Sequence, residues 1–384
     1  MAQVKRRWRP KDVLLQAALL AGVATVLGGM AWNASVALER QHIASGFGFL
    51  NTTAGFDIVQ SLVRFDETST YGRVLLVGFL NTLLVAIVGV AFATVLGLLI
   101  GIGQLSSNWL VAKLCRAYVE TLRNIPLLLQ LFFWYFAALR ALPAPRDSWT
   151  LFGEVFLNNR GLYVPKPEAA AGFELVFGVF LAGVFVCIAL ASWRNRHREQ
   201  TGQQVSILVP AVGLLVALPL VVSAVLDFPV GFSRPVLQGF NFENGVVILP
   251  EFIALVVALA TYTASYIAEI VRAGIQGVPR GQLESSLALG LTRSQALRLV
   301  LLPQALRQIV PPLTSQYLNL TKNSSLAVAI AYPDLVSVFA GTTLNQTGQA
   351  IEIIAITMGV YLVLSLTTSA LMNWYNSRIS LTER

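Results

Sequence analysis

Long uncharged apolar runs divide this chain into membrane-length pieces, separated by short basic and longer mixed segments. A helix needs roughly 20 apolar residues to cross the hydrocarbon layer. The first such run is 13–34, preceded by Lys5, Arg6, Arg7, Arg9 and Lys11. Ser35-Val36-Ala37 resembles a signal-cleavage site, but the run exceeds the ~7–15 residues of a signal core, so it reads as a retained anchor. Runs at 74–105, 125–142, 175–193, 205–226 and 252–271 predict spans two to six. A seventh begins near Ile309 and is interrupted by Pro311, Pro312 and the polar stretch Lys322-Asn323-Ser324-Ser325. The last is 353–375. The pattern predicts an all-α integral membrane protein with about eight transmembrane helices.

The polar segments fix an orientation. With the N-terminus in the cytoplasm, the basic segments 5–11, 113–123, 194–198 and 272–307 all fall inside, as does the C-terminus. The mixed or acidic segments 39–67, 146–168 and 227–251 fall outside, as the lysine and arginine bias of membrane proteins requires. The external segments 39–72, 143–172 and 227–250 read as loops, the first with some local structure.

Composition supports the membrane class. Of 384 residues, 55% are apolar and only 12% charged, about half the charged share of a soluble domain. The net charge of +8 is explained by cytoplasmic loops, because no basic stripe with interleaved aromatics points to nucleic acid. Two cysteines, Cys115 and Cys187, and two histidines, His42 and His197, lack the grouping of a zinc or haem site. Both cysteines fall near the cytoplasmic side, which argues against a structural disulfide. No G-x-x-x-x-G-K-[ST] phosphate loop is present, so ATP hydrolysis would need another chain.

The segment 281–303 after span six carries the most specific pattern. Leu283, Leu287, Ala288 and Leu291 recur at helical spacing, with Glu284, Ser285 and Arg293 off that face. Gly290 can end the first helix because it tolerates positive φ. Thr292 to Gln295 fits a capping box that starts a second helix, and Pro303 restricts the backbone of the residue before it. Two short helices joined by an elbow are predicted.

The spacing Glu284, Ser285-Ser286, Gly290, Leu302-Pro303 resembles the "EAA" loop of bacterial ABC importer permeases, with serines where the family has two alanines. Residues 266–279, Gln304-Ala305-Leu306-Arg307, Lys322-Asn323-Ser324-Ser325-Leu326, Asn81-Thr82-Leu83 and 123–130 are similar to its polar amino-acid branch. The resemblance covers about 72–141 and 249–375 in order. It implies a type I importer, MetI-like permease core over 72–384, preceded by an anchor and external segment at 1–71 and interrupted by a two-span insertion at about 142–248. That enlarged plan is similar to the general L-amino-acid permeases of Gram-negative bacteria, in which two different permeases pair.

The resemblance further implies partners: a second permease, two ABC ATPase subunits binding ATP and magnesium, a periplasmic amino-acid-binding protein, and the bilayer. No cofactor is expected in this chain, which would lie in the bacterial inner membrane. Gly281, Glu284, Ser285, Ser286, Gly290, Leu302 and Pro303 would then couple ATP binding to transport. Lys322, an ionisable residue within a span, is a substrate-path candidate with Asn323, Ser324, Arg123 and Gln130. Equally, Lys322 could snorkel or pair with Glu120 or Glu269, and Glu269 with Arg272 could be an intrahelical pair. Two rival readings stand beside this one. A secondary transporter driven by an ion gradient predicts inverted repeats and mid-membrane acids, and no obvious repeat is present. A non-transporting membrane scaffold has no need of an elbowed loop.

Overall fold

The computed structural model describes residues 10–40, 45–201 and 206–379. It divides into two compact units, one formed by 1–135 with 254–384 and the other by 136–253.

In the first unit, α1 covers Pro10–Arg40. The segment after α1 then makes a short 3₁₀ turn at Gly48–Asn51 and an isolated bridge between Thr53 and Thr70, so the local structure expected there is present. Phe49, Ala54 and Ile58 enter a core with Val74, Val77, Phe339 and Ile353. The Phe49 ring stacks on Phe339 at 6.3 Å between centroids. The long helix α2, Tyr71–Gly103, follows. Small residues let it approach α8, Pro250–Gln276, closely: a Cβ on Gly101 would lie 2.7 Å from the Ala268 carbonyl oxygen. Such contacts hold membrane helices together where no hydrophobic gain from leaving water is available.

Helix α3, Trp109–Asn124, meets α4, Leu127–Phe132, at a bend of 106°. Ile125 is extended, as the residue before a proline prefers, and Pro126 caps α4. A wider π-turn, Phe133–Leu139, continues α4. Beyond α8 come α9 (Arg280–Ala288), α10 (Arg293–Ala296) and α11 (Leu302–Asn323), which keeps Pro311 and Pro312 inside its length.

The seventh span breaks later than the polar stretch Lys322–Ser325 suggests. At Ser324 the chain only tightens into a 3₁₀ turn, Ser324–Ile330. The 54° bend comes after it, where Ala331 turns left-handed (φ 58°) and Tyr332-Pro333-Asp334 leads into the π-turn Leu335–Thr343. Pro333 has no N–H to continue the helix. The chain closes with α12, Leu344–Thr347, and α13, Ala350–Ile379.

The second unit holds α5 (Phe173–Thr201), which packs against the broken helix α6 (Leu208–Val212) and α7 (Leu218–Val225). Its polar segments are not plain loops. Strands β1 (Trp149–Leu151), β2 (Val155–Asn158), β3 (Gly161–Val164) and β8 (Val246–Ile248) form an antiparallel sheet in that order. Strands β4 (Lys166–Ala169) and β5 (Val230–Ser233) pair separately, as do β6 (Val236–Gln238) and β7 (Asn241–Glu243). Phe156, Tyr163 and Phe242 pack their rings at 4.6 and 4.8 Å, giving these short strands a small aromatic core. The all-α expectation therefore holds for the spans and gives way to β structure in these segments.

Among the described residues, five helices are long and apolar enough to cross a membrane: Tyr71–Gly103, Phe173–Arg198, Leu208–Val225, Pro250–Gln276 and Ala350–Ser377. Counting each bent pair as one span gives seven. The apolar runs predict about eight, and the difference lies in α1, whose apolar stretch Leu14–Met30 is shorter. Leu99, Phe92, Leu362 and Val363 stand exposed on these helices, the face a lipid-embedded helix presents.

Candidate functional site: the elbow after α8 and the hollow beside it

The elbow predicted for 281–303 is built as its residues dictate. α9 ends in a Schellman motif, in which the Gly290 N–H donates to the Leu287 carbonyl at 2.9 Å and the Leu291 N–H to the Ser286 carbonyl at 3.2 Å. The motif needs a left-handed residue, and Gly290 supplies it with φ 82°. Nothing crowds a Cβ at that position, so glycine is there for its backbone and not for space. Thr292 and Gln295 then form the full capping box that starts α10. A π-turn, Leu297–Leu301, joins α10 to α11. Across the elbow, the Gln304 amide donates to the Gln282 side chain at 3.3 Å.

The face that this chain covers differs from the apolar stripe in the sequence. Leu283 and Leu291 are half-buried, but the buried position of α9 is Ser286, whose hydroxyl donates to the Leu283 carbonyl at 2.7 Å. Ser286 is small enough for the close packing expected of it. Glu284, Ser285 and Gly281 are exposed. So are Leu287, Leu297, Leu299 and Leu302, while Leu289 is 84% exposed. Half of the apolar stripe is therefore uncovered. Beside it, Ile275, Val278, Leu297, Leu301 and Ala305 line an apolar hollow of about 350 Å³.

A second hollow, polar and about 570 Å³, lies where α3 faces α8. α3 contributes Arg116, Glu120 and Arg123, spaced one and two turns apart on one side. α8 contributes Tyr266, Glu269, Arg272 and Gln276, and the end of α2 contributes Gln104. The Tyr118 hydroxyl donates to the Thr261 carbonyl at 2.8 Å and ties the two walls together. Glu269 and Arg272 do form the intrahelical pair foreseen as one possibility, with Arg272 Nε on Glu269 Oε2 at 3.0 Å. Arg272 also donates to the Gln276 side chain at 2.7 Å. The Arg123 guanidinium lies 4.9 Å over the Tyr266 ring, a cation–π contact.

The structure spreads the substrate-path candidates apart. Only Arg123 lines the polar hollow. Gln130 is buried and braces the α3–α4 bend, donating to the Leu122 and Ile125 carbonyls at 2.8 and 2.9 Å. Those carbonyls end α3, where Pro126 has no N–H to offer. Ser324 is buried and donates to the Thr321 carbonyl at 2.7 Å, while Asn323 is half-buried. Lys322 is exposed and makes no ion pair among the described residues; Glu269, one partner considered for it, is held by Arg272. Gln104, Arg116, Val119, Tyr266 and Gln276 are among the hollow's residues that sequence reasoning did not put forward as site candidates. The spacing of Arg116, Glu120 and Arg123 was the available signal.

Elbow, broken spans and long apolar helices define a polytopic membrane permease. The family described as "Binding-protein-dependent transport system inner membrane component" matches residues 93–381. The chain belongs to that family. It is 54% identical to "General L-amino acid transport system permease protein AapQ" of Rhizobium johnstonii, over 94% of this chain and 90% of that protein. It is 50% identical to "Putative amino-acid ABC transporter permease protein YhdX" of Escherichia coli, over 97% and 94%. It is 41% identical to "Glutamate/glutamine/aspartate/asparagine transport system permease protein BztB" of Rhodobacter capsulatus, over 93% and 92%. Among solved structures, "Crystal structure of an amino acid ABC transporter with histidines" matches with a TM-score of 0.47 at 22% identity, over 80% of this chain and 95% of that one.

Proposed function

We propose that this chain is the membrane-spanning subunit of an ATP-driven importer of polar or general L-amino acids. The observation that carries it is the elbow. α9 and α10 are rigidly capped, yet Leu287, Leu289, Leu297 and Leu299 are left exposed. Exposed leucines beside a fixed elbow suit a helix-in-cleft contact with another protein. The names of the similar permeases, all amino-acid transport components, support the substrate class.

On this reading the elbow docks a separate ATPase, two copies of which bind the ATP and magnesium. A second, homologous permease completes the pore, and a periplasmic binding protein delivers the amino acid. Both termini and the elbow lie in the cytoplasm, in accord with the arginine and lysine bias of 272–307. ATP-driven closure of the ATPases moves the elbow as a lever on α8 and α11, a rigid-body switch between two packed arrangements. Lys322, Asn323 and Ser324 belong to the substrate path where the seventh span tightens, and Arg123 to its cytoplasmic side.

The test is co-purification of the tagged chain in mild detergent, followed by reconstitution. An ATPase that co-purifies, with vanadate-sensitive uptake of L-amino acids, is the expected result. Uptake that persists without ATP and follows an ion gradient would overturn it.

A further inference from the structure

We propose that the polar hollow between α3 and α8 binds a free α-amino acid, with Gln104, Arg116 and Arg123 taking its carboxylate and Glu120 its ammonium. This deepens the import reading and rests on it: the hollow lies at the end of α8 from which the elbow departs, where an imported amino acid would leave.

The first indication is an unfilled donor. Gln104 is only 4% exposed, lines the hollow, and its side-chain nitrogen has no acceptor among the described residues. A buried amide without an acceptor is costly, so the position calls for an oxygen from something that enters. The second indication is the state of the charges. Arg272 is occupied by Glu269 and Gln276. Arg116 and Glu120 make no ion pair with each other, although they stand four residues apart on α3. The Arg123 guanidinium lies over the Tyr266 ring and makes no ion pair among the described residues.

Charge and size narrow the occupant. Three guanidinium groups and two carboxylates line the hollow, leaving one positive charge over. A lone anion would match the arginines but leave Glu120 facing it. A zwitterion matches both signs, carboxylate to the arginines and ammonium to Glu120. A hollow of about 570 Å³ admits an amino acid with its side chain, within the usual range of small-molecule sites. All the groups come from one chain.

The test uses the complex with its second permease and ATPase, with Cys115 and Cys187 replaced by serine. Asn124 lines the hollow and is exposed, so Asn124→Cys reports its occupancy through maleimide alkylation. Thr121→Cys, exposed on the same helix and outside the hollow, is the control. L-Glutamine is expected to slow alkylation at 124 saturably and not at 121, while L-glutamine amide, lacking the carboxylate, and inorganic phosphate fail to protect. Arg116→Gln, at an exposed position, should raise the half-protecting concentration about tenfold, the loss of one charge-assisted hydrogen bond. No protection by L-glutamine, or equal protection by phosphate, overturns the site. Should Asn124→Cys fail to assemble, equilibrium binding of labelled L-glutamine to the unmutated complex and to Arg116→Gln replaces it; equal affinity overturns the site. Uptake into proteoliposomes separates the two readings. Amino-acid uptake without protection sinks the site alone, and absence of any ATP-driven amino-acid uptake sinks the import reading.

Discussion

The side-chain amide of Asn81, on α2, donates to the main-chain carbonyl of Pro333 at 2.8 Å, across 252 residues of sequence. The same nitrogen donates to the Gln60 carbonyl, also at 2.8 Å. One turn of α2 thus satisfies two main-chain oxygens, one in the segment between α1 and α2 and one in the break of the seventh span. Next to it, the Leu335 N–H donates to the Thr82 hydroxyl at 3.0 Å, so both sides of the break are tied to α2. In a membrane interior no water replaces such bonds. The break is therefore a fixed feature, templated by Asn81-Thr82.

Replacing Asn81 with leucine should destabilise the chain by about 2 kcal/mol or more, because each buried carbonyl left without a donor costs about 1–3 kcal/mol. Thermal unfolding of the detergent-purified complex would register the loss as a lowered midpoint. An unchanged midpoint would mean that water or a neighbouring group reaches both carbonyls.

Gly290 and Gly281 make a contrasting pair within the elbow. Gly290 has φ 82° with open space around its Cβ position, whereas Gly281 is helical and equally uncrowded. Gly290→Val should disrupt the Schellman turn, at about 1–2 kcal/mol for a residue forced left-handed, and should abolish substrate-stimulated ATP turnover while membrane insertion continues. Gly290→Asn should be milder, since asparagine tolerates this region. Gly281→Ala should be close to neutral. ATPase assays on the reconstituted complex decide between these, and full stimulation in Gly290→Val would remove the elbow from the coupling path.

Much of this site was legible in the sequence, and the reasons are local. A capping box is a contact between residues three apart, and a left-handed helix stop needs glycine, so Thr292, Gln295 and Gly290 announce themselves. The spans are legible because apolar length is a property of composition. What stayed hidden depends on distant partners. The break at Ala331–Asp334 requires Asn81, and a left-handed alanine has no sequence signal. The strands at 149–169 and 230–248 are three or four residues each, too short for alternation to register among their prolines and glycines. α3 escaped notice because its buried residues, Ala112 and Val119, are few, and its charged side faces the polar hollow.

The α2–α8 contact depends on two glycines one turn apart. A Cβ on Gly97 would sit 2.6 Å from the Ile267 Cβ, and one on Gly101 2.8 Å from the Val271 Cβ. Neither neighbour can swing away as a flexible tip could. Gly97→Leu and Gly101→Leu should each prevent assembly of the complex, read as loss of the ATPase on co-purification. Gly89→Ala should assemble, because there the nearest atom, at 3.2 Å, is the end of the Leu320 side chain. Assembly of Gly97→Leu would show that the two helices separate more easily than this packing allows.

Asp66 closes the turn that leads into α2, ahead of the apolar span. Its Oδ1 accepts from the Thr68 N–H at 3.0 Å, the Thr68 hydroxyl at 2.6 Å and the Ser69 hydroxyl at 3.0 Å. The hydrogen bonds from the Thr68 and Ser69 side chains, more than any other cause, hold its carboxyl below the ordinary value of 3.8. A lowered folded value means that the carboxylate's contribution is present above the unfolded value and is lost as pH falls through the folded one. The turn should therefore be indifferent to pH from neutrality down to the ordinary carboxylate value and loosen only below it. Hydrogen exchange at the Thr68 amide, compared with the same amide in Asp66→Asn, measures this after correction for intrinsic rates. Extra protection in the unmutated chain should disappear only in the acid range. Protection lost already near pH 6 would mean that a group other than Asp66 holds the turn.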